Sequence, residues 1–351
     1  MLKKELGFGI IGCRMGLSHA IGLKLCKGGK LVALCDKRED ILKNAMKRTN
    51  LSEKDCYTDY RDLLKREDVD VVVVATPDQL HPEHTIAALE AGKHVLCEKP
   101  MALTVEECKE MIAASERTGK KLMIGQICRY TPGFIEAKKL IDRGEIGELF
   151  FVESEYAHDY THITGVDNWR IDPVRLRHPV LGGGCHAVDL LRWIAGNPYE
   201  VCAFSNKKVL THWPVDDCTI GIMKFPNNII GKVFVSVGCK RDYTMRSVFY
   251  GTKGTIITDN TSNFMTVYKE RIADGERIFE GLSDQVMGIK YPVAINNHNT
   301  AGELSEFIDI ILNDKPVKTD GREGASTVAA CLALVESAAA NGKNVKISYD
   351  F

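Results

Sequence analysis

Lys99 stands in the run Glu98-Lys99-Pro100, directly after a strand-like His94-Val95-Leu96-Cys97. A lysine fixed at a strand end by a stiff proline can be aimed at a bound ligand. Its ammonium can then stabilise an oxygen that gains negative charge during a reaction. Upstream, Gly9-Ile10-Ile11-Gly12-Cys13-Arg14-Met15-Gly16 reads as a strand running into a glycine turn. Glycine there lets the backbone approach a pyrophosphate, which rests on the N-terminus of the next helix. The pattern departs from GxGxxG, because Arg14 stands at the second glycine and the spacing to Gly16 is one residue short. Arg14, with Met15 beside it, can meet phosphates as a charged fork instead. Taken alone, the same residues also suit a plain tight turn.

Asp36 follows the second apolar run at about the spacing at which an acid hydrogen-bonds the ribose 2′-hydroxyl of NAD. Its charge would repel the extra phosphate of NADP, although Lys37 and Arg38 would tolerate it. NAD is the favoured cofactor and NADP remains open. Ala75-Thr76-Pro77 ends a third strand, so Thr76 and Pro77 are expected to line the nicotinamide pocket. His81 and His84 are spaced HxxH with no evident carboxylate or cysteine partner. That is a weak zinc signal, and no metal is expected.

The elements that must position these residues alternate. Apolar strands are expected over 8–11, 31–35, 69–75, 94–97 and 121–125, and helices between them near 20–26, 38–48 and 82–91. The run Val71-Val72-Val73-Val74 has the continuous branched character of a strand buried on both faces. Thr104 and Glu107 form a capping box that opens a further helix. This alternation implies an α/β Rossmann-type, doubly wound parallel sheet over residues 1–126. After residue 126 the character changes. A helix opens at Pro132, and strands follow over 149–156, 201–205, 219–225, 231–237, 247–250, 255–258 and 265–268, joined by short turn-rich links. Residues 127–351 are therefore expected to form a C-terminal α+β domain on a large, open, mostly antiparallel sheet. Thr300 and Glu303 are expected to cap one more helix, and an alanine-rich helix closes the chain near 325–340. That last helix is free to pack back on the first domain. An open sheet face is naturally covered by self-association, so a homodimer or homotetramer is expected.

The chain has 351 residues and a formal net charge of −1, with no basic block. Nucleic acid and anionic membrane are thus not expected partners. The longest apolar run is too short to span a bilayer, and Met1-Leu2-Lys3-Lys4-Glu5 lacks a signal-peptide core. Twelve scattered cysteines with no CxxC spacing read as reduced, mostly buried thiols. A cytoplasmic protein is expected.

The stretch Ala75-Thr76-Pro77, His81, and Ala88-Leu89-Glu90-Ala91-Gly92-Lys93-His94 through Lys99-Pro100 closely resembles the glucose–fructose oxidoreductase/inositol dehydrogenase (Gfo/Idh/MocA) family. Arg129-Tyr130-Thr131-Pro132, Gly144-Glu145-Ile146-Gly147, Trp169-Arg170, Gly183-Gly184 and His186-Ala187-Val188-Asp189 extend the resemblance over nearly the whole chain. It implies NAD(P) bound by a Rossmann domain, with Gly12, Arg14, Met15, Asp36, Thr76, Pro77, His81, Glu98 and Lys99 on the cofactor side. It implies that Lys99 also meets the substrate and that His186, in H-x-x-D with Asp189, is the acid/base. The family often carries an aspartate four residues before this histidine, where this chain has Gly182. Asp172, Asp159 or His158 would have to replace it, with Asp172 favoured.

The segment from His158 to His178 mixes carboxylates, guanidiniums and aromatic planes. A polyol, with many hydroxyls and an apolar CH face, suits such a segment, and His158, Trp169, Arg170 and Asp172 are the candidates to bind it. Arg129 and Tyr130 either reach the same ligand or form a structural hinge. The expected activity is hydride exchange between nicotinamide and a secondary hydroxyl of a sugar, cyclitol or glycoside. The alternatives are a glycosidase or lyase that uses tightly bound NAD for transient oxidation and elimination, and a non-catalytic NAD sensor.

Overall fold

Val71–Val74 is buried along its whole length, which only a strand covered on both faces allows. In the computed structural model, which describes residues 5–270 and 286–351, it is central to a six-stranded sheet. The reading of residues 1–4 lies outside the described residues.

The elements of the first part are β1 (Leu6–Ile11), α1 (Gly16–Leu23), β2 (Gly29–Cys35), α2 (Glu39–Thr49), β3 (Cys56–Tyr57), α3 (Tyr60–Leu64), β4 (Val71–Val74), α4 (His81–Glu90), β5 (His94–Cys97), α5 (Val105–Thr118) and β6 (Leu122–Ile124). The strand order is β3-β2-β1-β4-β5-β6, with every pair parallel. The strand pattern of the sequence does not distinguish β3. The capping box at α5 is present on both sides, Thr104 accepting from Glu107 N–H and Glu107 accepting from Thr104 N–H.

The second part comprises α6 (Pro132–Asp142), β7 (Leu149–Ala157), α7 (Pro179–Gly182), α8 (Cys185–Ala195), β8 (Glu200–Asn206), β9 (Cys218–Lys224), β10 (Ile230–Ser236), β11 (Thr244–Gly251), β12 (Gly254–Asp259), β13 (Phe264–Glu270) and β14 (Val286–Pro292). Helices α9 (Thr300–Leu312) and α10 (Gly321–Ala339) and strand β15 (Val345–Lys346) complete the chain. The second sheet has the order β14-β13-β12-β11-β7-β10-β9-β8-β15. Only β7 and β10 pair in parallel; the other pairs are antiparallel. Helix α8 packs on β7 and β10. The other face exposes Phe204, Ile220, Ile222 and Ile230.

Two compact units result. The first takes in not only the chain up to Ile127 but also Asn299–Ala329 and Tyr349–Phe351; the second holds Cys128–His298 and Ala330–Ser348. A single cut at 126/127 therefore misses the return of α9 to the first unit, where it packs on α1. The expected cap of α9 is also corrected. Asn299, not Thr300, is the N-cap and accepts from Gly302 N–H at 3.0 Å. Thr300 instead donates to Ser18 O, and Glu303 is fully buried.

Glu303 has a consequence for stability. Neither of its carboxyl oxygens has a hydrogen-bond partner. Burial, then the neighbouring Glu98 charge, pushes its pKa well above the ordinary 4.5. A raised folded-state value contributes stability only at low pH, and that stability is lost as pH rises above about 4.5. Between the two values the folded chain holds a proton that the unfolded chain releases, and above both it holds a costly buried charge. Glu303→Gln is expected to raise the melting temperature at pH 7–8 by at least about 2 °C. Near pH 4 the two proteins should melt alike. Thermal melts across pH check this, and a variant less stable at pH 8 would contradict it.

Candidate active site

In the first unit the chemistry-bearing residues gather at one sheet edge. Ile11 pairs with Cys35 and with Val74, and Val74 pairs with Cys97. Gly12, Asp36, Thr76 and Lys99 come directly after these strand ends or one residue later, so they share the carboxyl edge, where open parallel sheets hold ligands.

Gly12 has φ +92°, and a Cβ there would lie 2.5 Å from Ala75 O and 2.7 Å from Thr76 N. Only glycine passes between the two strand ends. Gly16 opens α1 against β1, where a Cβ would meet Ile10 Cγ2 at 2.5 Å. Arg14, at the expected second glycine, is exposed, and Met15 is half-buried. An open cleft beside the turn is lined by Cys13, Arg14, Leu17, Asp40, Ile41 and Asn44. The Asp36 carboxylate accepts from Cys13 N–H at 2.7 Å and from Arg38 N–H at 2.9 Å, so it ties the glycine turn to the end of β2. A glycine cradle, a helix N-terminus and a strand-end acid fit a dinucleotide.

Two residues expected on the cofactor are turned inward instead. His81 is 1% exposed, with Nδ1 at 2.8 Å from Pro100 O and Nε2 at 3.1 Å from Thr76 O. Burial opposes a charged ring, but Cys97, the Asp78 carboxylate and the Pro100 carbonyl raise its pKa to about 9. Both ring nitrogens therefore donate, bracing the Thr76 and Pro100 segments together. Glu98 is also buried; it accepts from His19 Nε2 at 2.8 Å and from Lys99 N–H at 3.2 Å. Burial works against its charge, but the His19 hydrogen bond and the charges of His19, Lys99 and His81 bring its pKa down to about 2. Both residues thus brace the segments that carry Thr76 and Lys99. Pro77 and Lys99 are half-buried. Thr76 Oγ1 lies 3.2 Å from Nδ1 of His84, a ring that burial holds neutral, with its pKa lowered to about 4. The HxxH histidines are thus committed to the protein's own backbone and hydroxyls.

In the second unit His186 lies in the first turn of α8 and is 3% exposed. Its ring stacks on Tyr156 at 6.2 Å between centroids and lies 6.4 Å from His298. Tyr156 OH meets Tyr160 OH at 2.8 Å and His158 Nδ1 at 3.3 Å. Tyr243 packs on Tyr156, His158 and His298. Burial, with neighbouring phenols, keeps Tyr156 protonated, and Tyr243 is likewise raised. Burial and the Arg170 charge keep His158 below the usual histidine range, against the pull of Asp159. The result is a nest of phenols and imidazoles around one buried histidine.

Asp189, one turn after His186, is held by Arg129 in a two-pronged pair, 2.9 Å to Nε and 2.7 Å to Nη2, with Arg192 at 3.6 Å. Arg129 thereby holds α8 through Asp189. Tyr130 follows it, half-buried. Trp169 is half-buried, with the Arg170 guanidinium 4.4 Å and the Arg177 guanidinium 5.1 Å from its ring centre.

The three glycines before His186 each answer a close approach. A Cβ at Gly184 would meet Val235 Cγ2 at 2.5 Å, and one at Gly183 would meet the Tyr156 ring at 2.4 Å. A Cβ at Gly182 would fall 2.1 Å from Arg177 Nη1 and 2.2 Å from its Cζ. The expectation that Asp172, Asp159 or His158 fills the place of the missing carboxylate is therefore corrected, since a guanidinium holds that space. Asp172 accepts from its own loop, Val174 N–H, at 2.8 Å, and Asp159 pairs with Lys240 at 3.1 Å. In the sequence Arg177 is one guanidinium of the polar segment, with nothing to mark it out. Tyr156, Tyr243 and His298 are not marked there either. Their only signal is their type, because segments far apart in the chain bring them together. Among the described residues no group of three His, Cys, Asp or Glu could hold a metal ion, and no helix is long and apolar enough to cross a membrane.

Comparison with known proteins gives two family matches. Residues 6–126 match a model described as an oxidoreductase family with an NAD-binding Rossmann fold, Gfo/Idh/MocA. Residues 134–257 match the Gfo/Idh/MocA C-terminal domain. The inositol 2-dehydrogenase/D-chiro-inositol 3-dehydrogenase of Halalkalibacterium halodurans is 32% identical over 249 residues, covering 69% of this chain and 68% of that protein. The 1,5-anhydro-D-fructose reductase of Ensifer adhaerens is 28% identical over 344 residues, 95% of this chain and 96% of that one. A levoglucosan dehydrogenase crystallised with NADH shares the fold, with a TM-score of 0.86 at 24% identity, covering 98% and 99% of the two chains.

Proposed function

The chain belongs to the Gfo/Idh/MocA family of oxidoreductases with an NAD-binding Rossmann fold, and from that premise we propose that it oxidises, or forms by reduction, a secondary hydroxyl of a sugar or cyclitol. Gly12, Asp36, Thr76 and Lys99 on one carboxyl edge carry this reading. NAD supplies the acceptor for the hydrogen and its electron pair when it is bound. Gly12 and the N-terminus of α1 are assigned to its pyrophosphate, with Arg14 at the side, and Asp36 to its adenosine ribose. Lys99 donates a hydrogen bond to the reacting oxygen and offsets charge that builds there. His186 takes the hydroxyl proton in oxidation and returns it in reduction.

The test is a panel of inositols, aldoses and glycosides with NAD and with NADP, followed by the absorbance of the reduced nicotinamide. No reduction with any of them would overturn the reading. The two relatives named above are a dehydrogenase and a reductase, so the oxidation–elimination alternative is not favoured. Asp36→Ala is expected to lower the preference for NAD over NADP by between about 10- and 10²-fold, the worth of one charged hydrogen bond. Cofactor titrations with both dinucleotides check it.

We place the enzyme in the cytoplasm, which suits twelve free thiols. We also assign the face bearing Phe204, Ile220, Ile222 and Ile230 to a second copy of the chain. Phe204 and Ile220 are direct cross-strand partners, and Ile222 follows on the same face, so the apolar surface is continuous. Ile220→Glu is expected to shift the protein towards monomer in sedimentation. An unchanged sedimentation profile in the variant would remove this face as the interface.

A further inference from the structure

We propose that Glu303 is a positioning residue for the reaction: as a neutral acid beside Glu98 it leaves Glu98 the anion that seats Lys99, and the loss of its proton unseats Lys99. This rests on the redox reading above and adds a control to the same site.

The inference starts from two buried glutamates in opposite circumstances. Glu98 spends both carboxyl oxygens, Oε1 at 2.8 Å from His19 Nε2 and Oε2 accepting from Lys99 N–H at 3.2 Å. Glu303, in the first turn of α9, has a hydrogen-bond partner on neither oxygen. Gly125, just past β6, is the wall the two share. A Cβ there would lie 3.4 Å from Glu98 Cα and 3.7 Å from Glu303 Oε1. The Glu303 carboxyl therefore faces the backbone of Glu98, the residue before Lys99. All of these groups belong to the first unit. Helix α9 cannot carry Glu303 out to water. Thr300, one turn earlier, donates to Ser18 O at 3.2 Å, and a Cβ at Gly22 would meet its Oγ1 at 2.4 Å, so α9 is clamped on α1.

Of two carboxyls set this close, the one with donors keeps its charge and the other keeps a proton. Burial opposes ionisation of both. At Glu98 the His19 hydrogen bond and the charges of His19, Lys99 and His81 overcome it. At Glu303 the Glu98 charge, then that of Glu306 on its own helix, adds to burial. The coupling is mutual, so a charge on Glu303 works against the charge on Glu98. It thereby weakens the hold of Glu98 on His19 and on the Lys99 amide. A leucine would fill the same volume at less cost. What the carboxyl adds is a proton that it can lose.

The test uses the NAD-loaded protein with the inositols, aldoses and glycosides of the panel as probes, at a temperature where circular dichroism shows it folded across the pH range. Wild-type kcat is expected to fall on the alkaline side. In Glu303→Gln, whose amide cannot ionise, the fall is expected at least about one pH unit higher. KM for NAD should stay within about threefold of wild type at each pH, because the glycine turn and Asp36 are untouched. A purely structural role would change the melting temperature and leave the profile where it was. Infrared spectra give a readout that needs no turnover. A band of a protonated, buried carboxyl is expected near neutral pH in the wild type and should be missing from Glu303→Gln. In the wild type alone the band should bleach over the pH range in which kcat falls, which needs no variant to fold. An alkaline fall at the same pH in both proteins, or a wild-type band that outlasts the fall, would overturn the proposal while leaving the redox reading intact. Failure of every member of the panel to reduce NAD would overturn both.

Discussion

Lys99→Met is expected to lower turnover by about 10²–10⁴-fold, the range in which a positioned proton-sharing or charge-stabilising group is worth its place. Cofactor affinity should stay within a few-fold of wild type, because the glycine turn and Asp36 are untouched. The argument is positional. Lys99 follows β5 on the carboxyl edge, two residues beyond Cys97, the strand partner of Val74. Its N–H is held by Glu98, and Glu98 is held by His19 at 2.8 Å. Glu98 keeps its charge down to about pH 2. Its folded-state value is depressed, so its support is present above the ordinary 4.5 and is lost only as pH falls towards 2. The scaffold under Lys99 therefore does not loosen across the physiological range. Lys99→Arg is expected to recover little, since a planar fork cannot reproduce a compact ammonium at a fixed distance. Single-turnover kinetics with titrated cofactor separates loss of chemistry from loss of binding. Turnover near wild type in Lys99→Met would remove this residue from the reaction.

The first unit is largely legible in the sequence, because its signals are local. A run of four valines bounded by turn and charged residues admits one reading, and β4 covers those four residues. The strand 94–97 and the helix opening at Pro132 also fall where expected, since each is bounded by a turn residue or a helix-starting proline. The short strands escape for the opposite reason. Cys56–Tyr57 and Val345–Lys346 are two residues long, and pairing with a neighbour, not their own pattern, makes them strands. Asn299 displaces Thr300 as a cap because asparagine is at least as good an acceptor, and one residue of phase decides the matter.

The site is legible in its residue types and much less so in their partners. Histidine and glutamate in a ligand-facing stretch look like ligands, yet His81 and Glu98 spend their polar atoms on the segments that carry Thr76 and Lys99. The H-x-x-D spacing suggests that Asp189 serves His186, while the structure gives it to Arg129, 60 residues away. A glycine in place of an expected aspartate says that something is missing. It cannot say that a guanidinium five residues earlier in the chain fills the gap, because a loop turning back on a helix leaves no periodic trace.

His186→Asn carries the second large effect, and its outcome separates chemistry from packing. The ring is 3% exposed and stacked on Tyr156, so truncation to alanine would open a cavity as well as delete a base. Asparagine keeps a planar polar group of similar reach but cannot accept and return a proton near neutral pH. Turnover is expected to fall by about 10²–10⁴-fold, with melting temperature changed little and the cofactor still bound. Added imidazole should restore part of the rate in His186→Gly if the lost function is proton transfer, and none if the ring only fills space. The groups around it give the reason for expecting a proton acceptor here. Tyr156 and Tyr243 are held protonated by burial, and Asp189 is locked to Arg129 and Arg192. With those groups committed, the proton falls to an imidazole, the ordinary acid/base of proteins near neutral pH. A His186→Asn enzyme that keeps wild-type turnover would show that the proton leaves by another route, and the acid/base assignment in the second unit would have to be withdrawn.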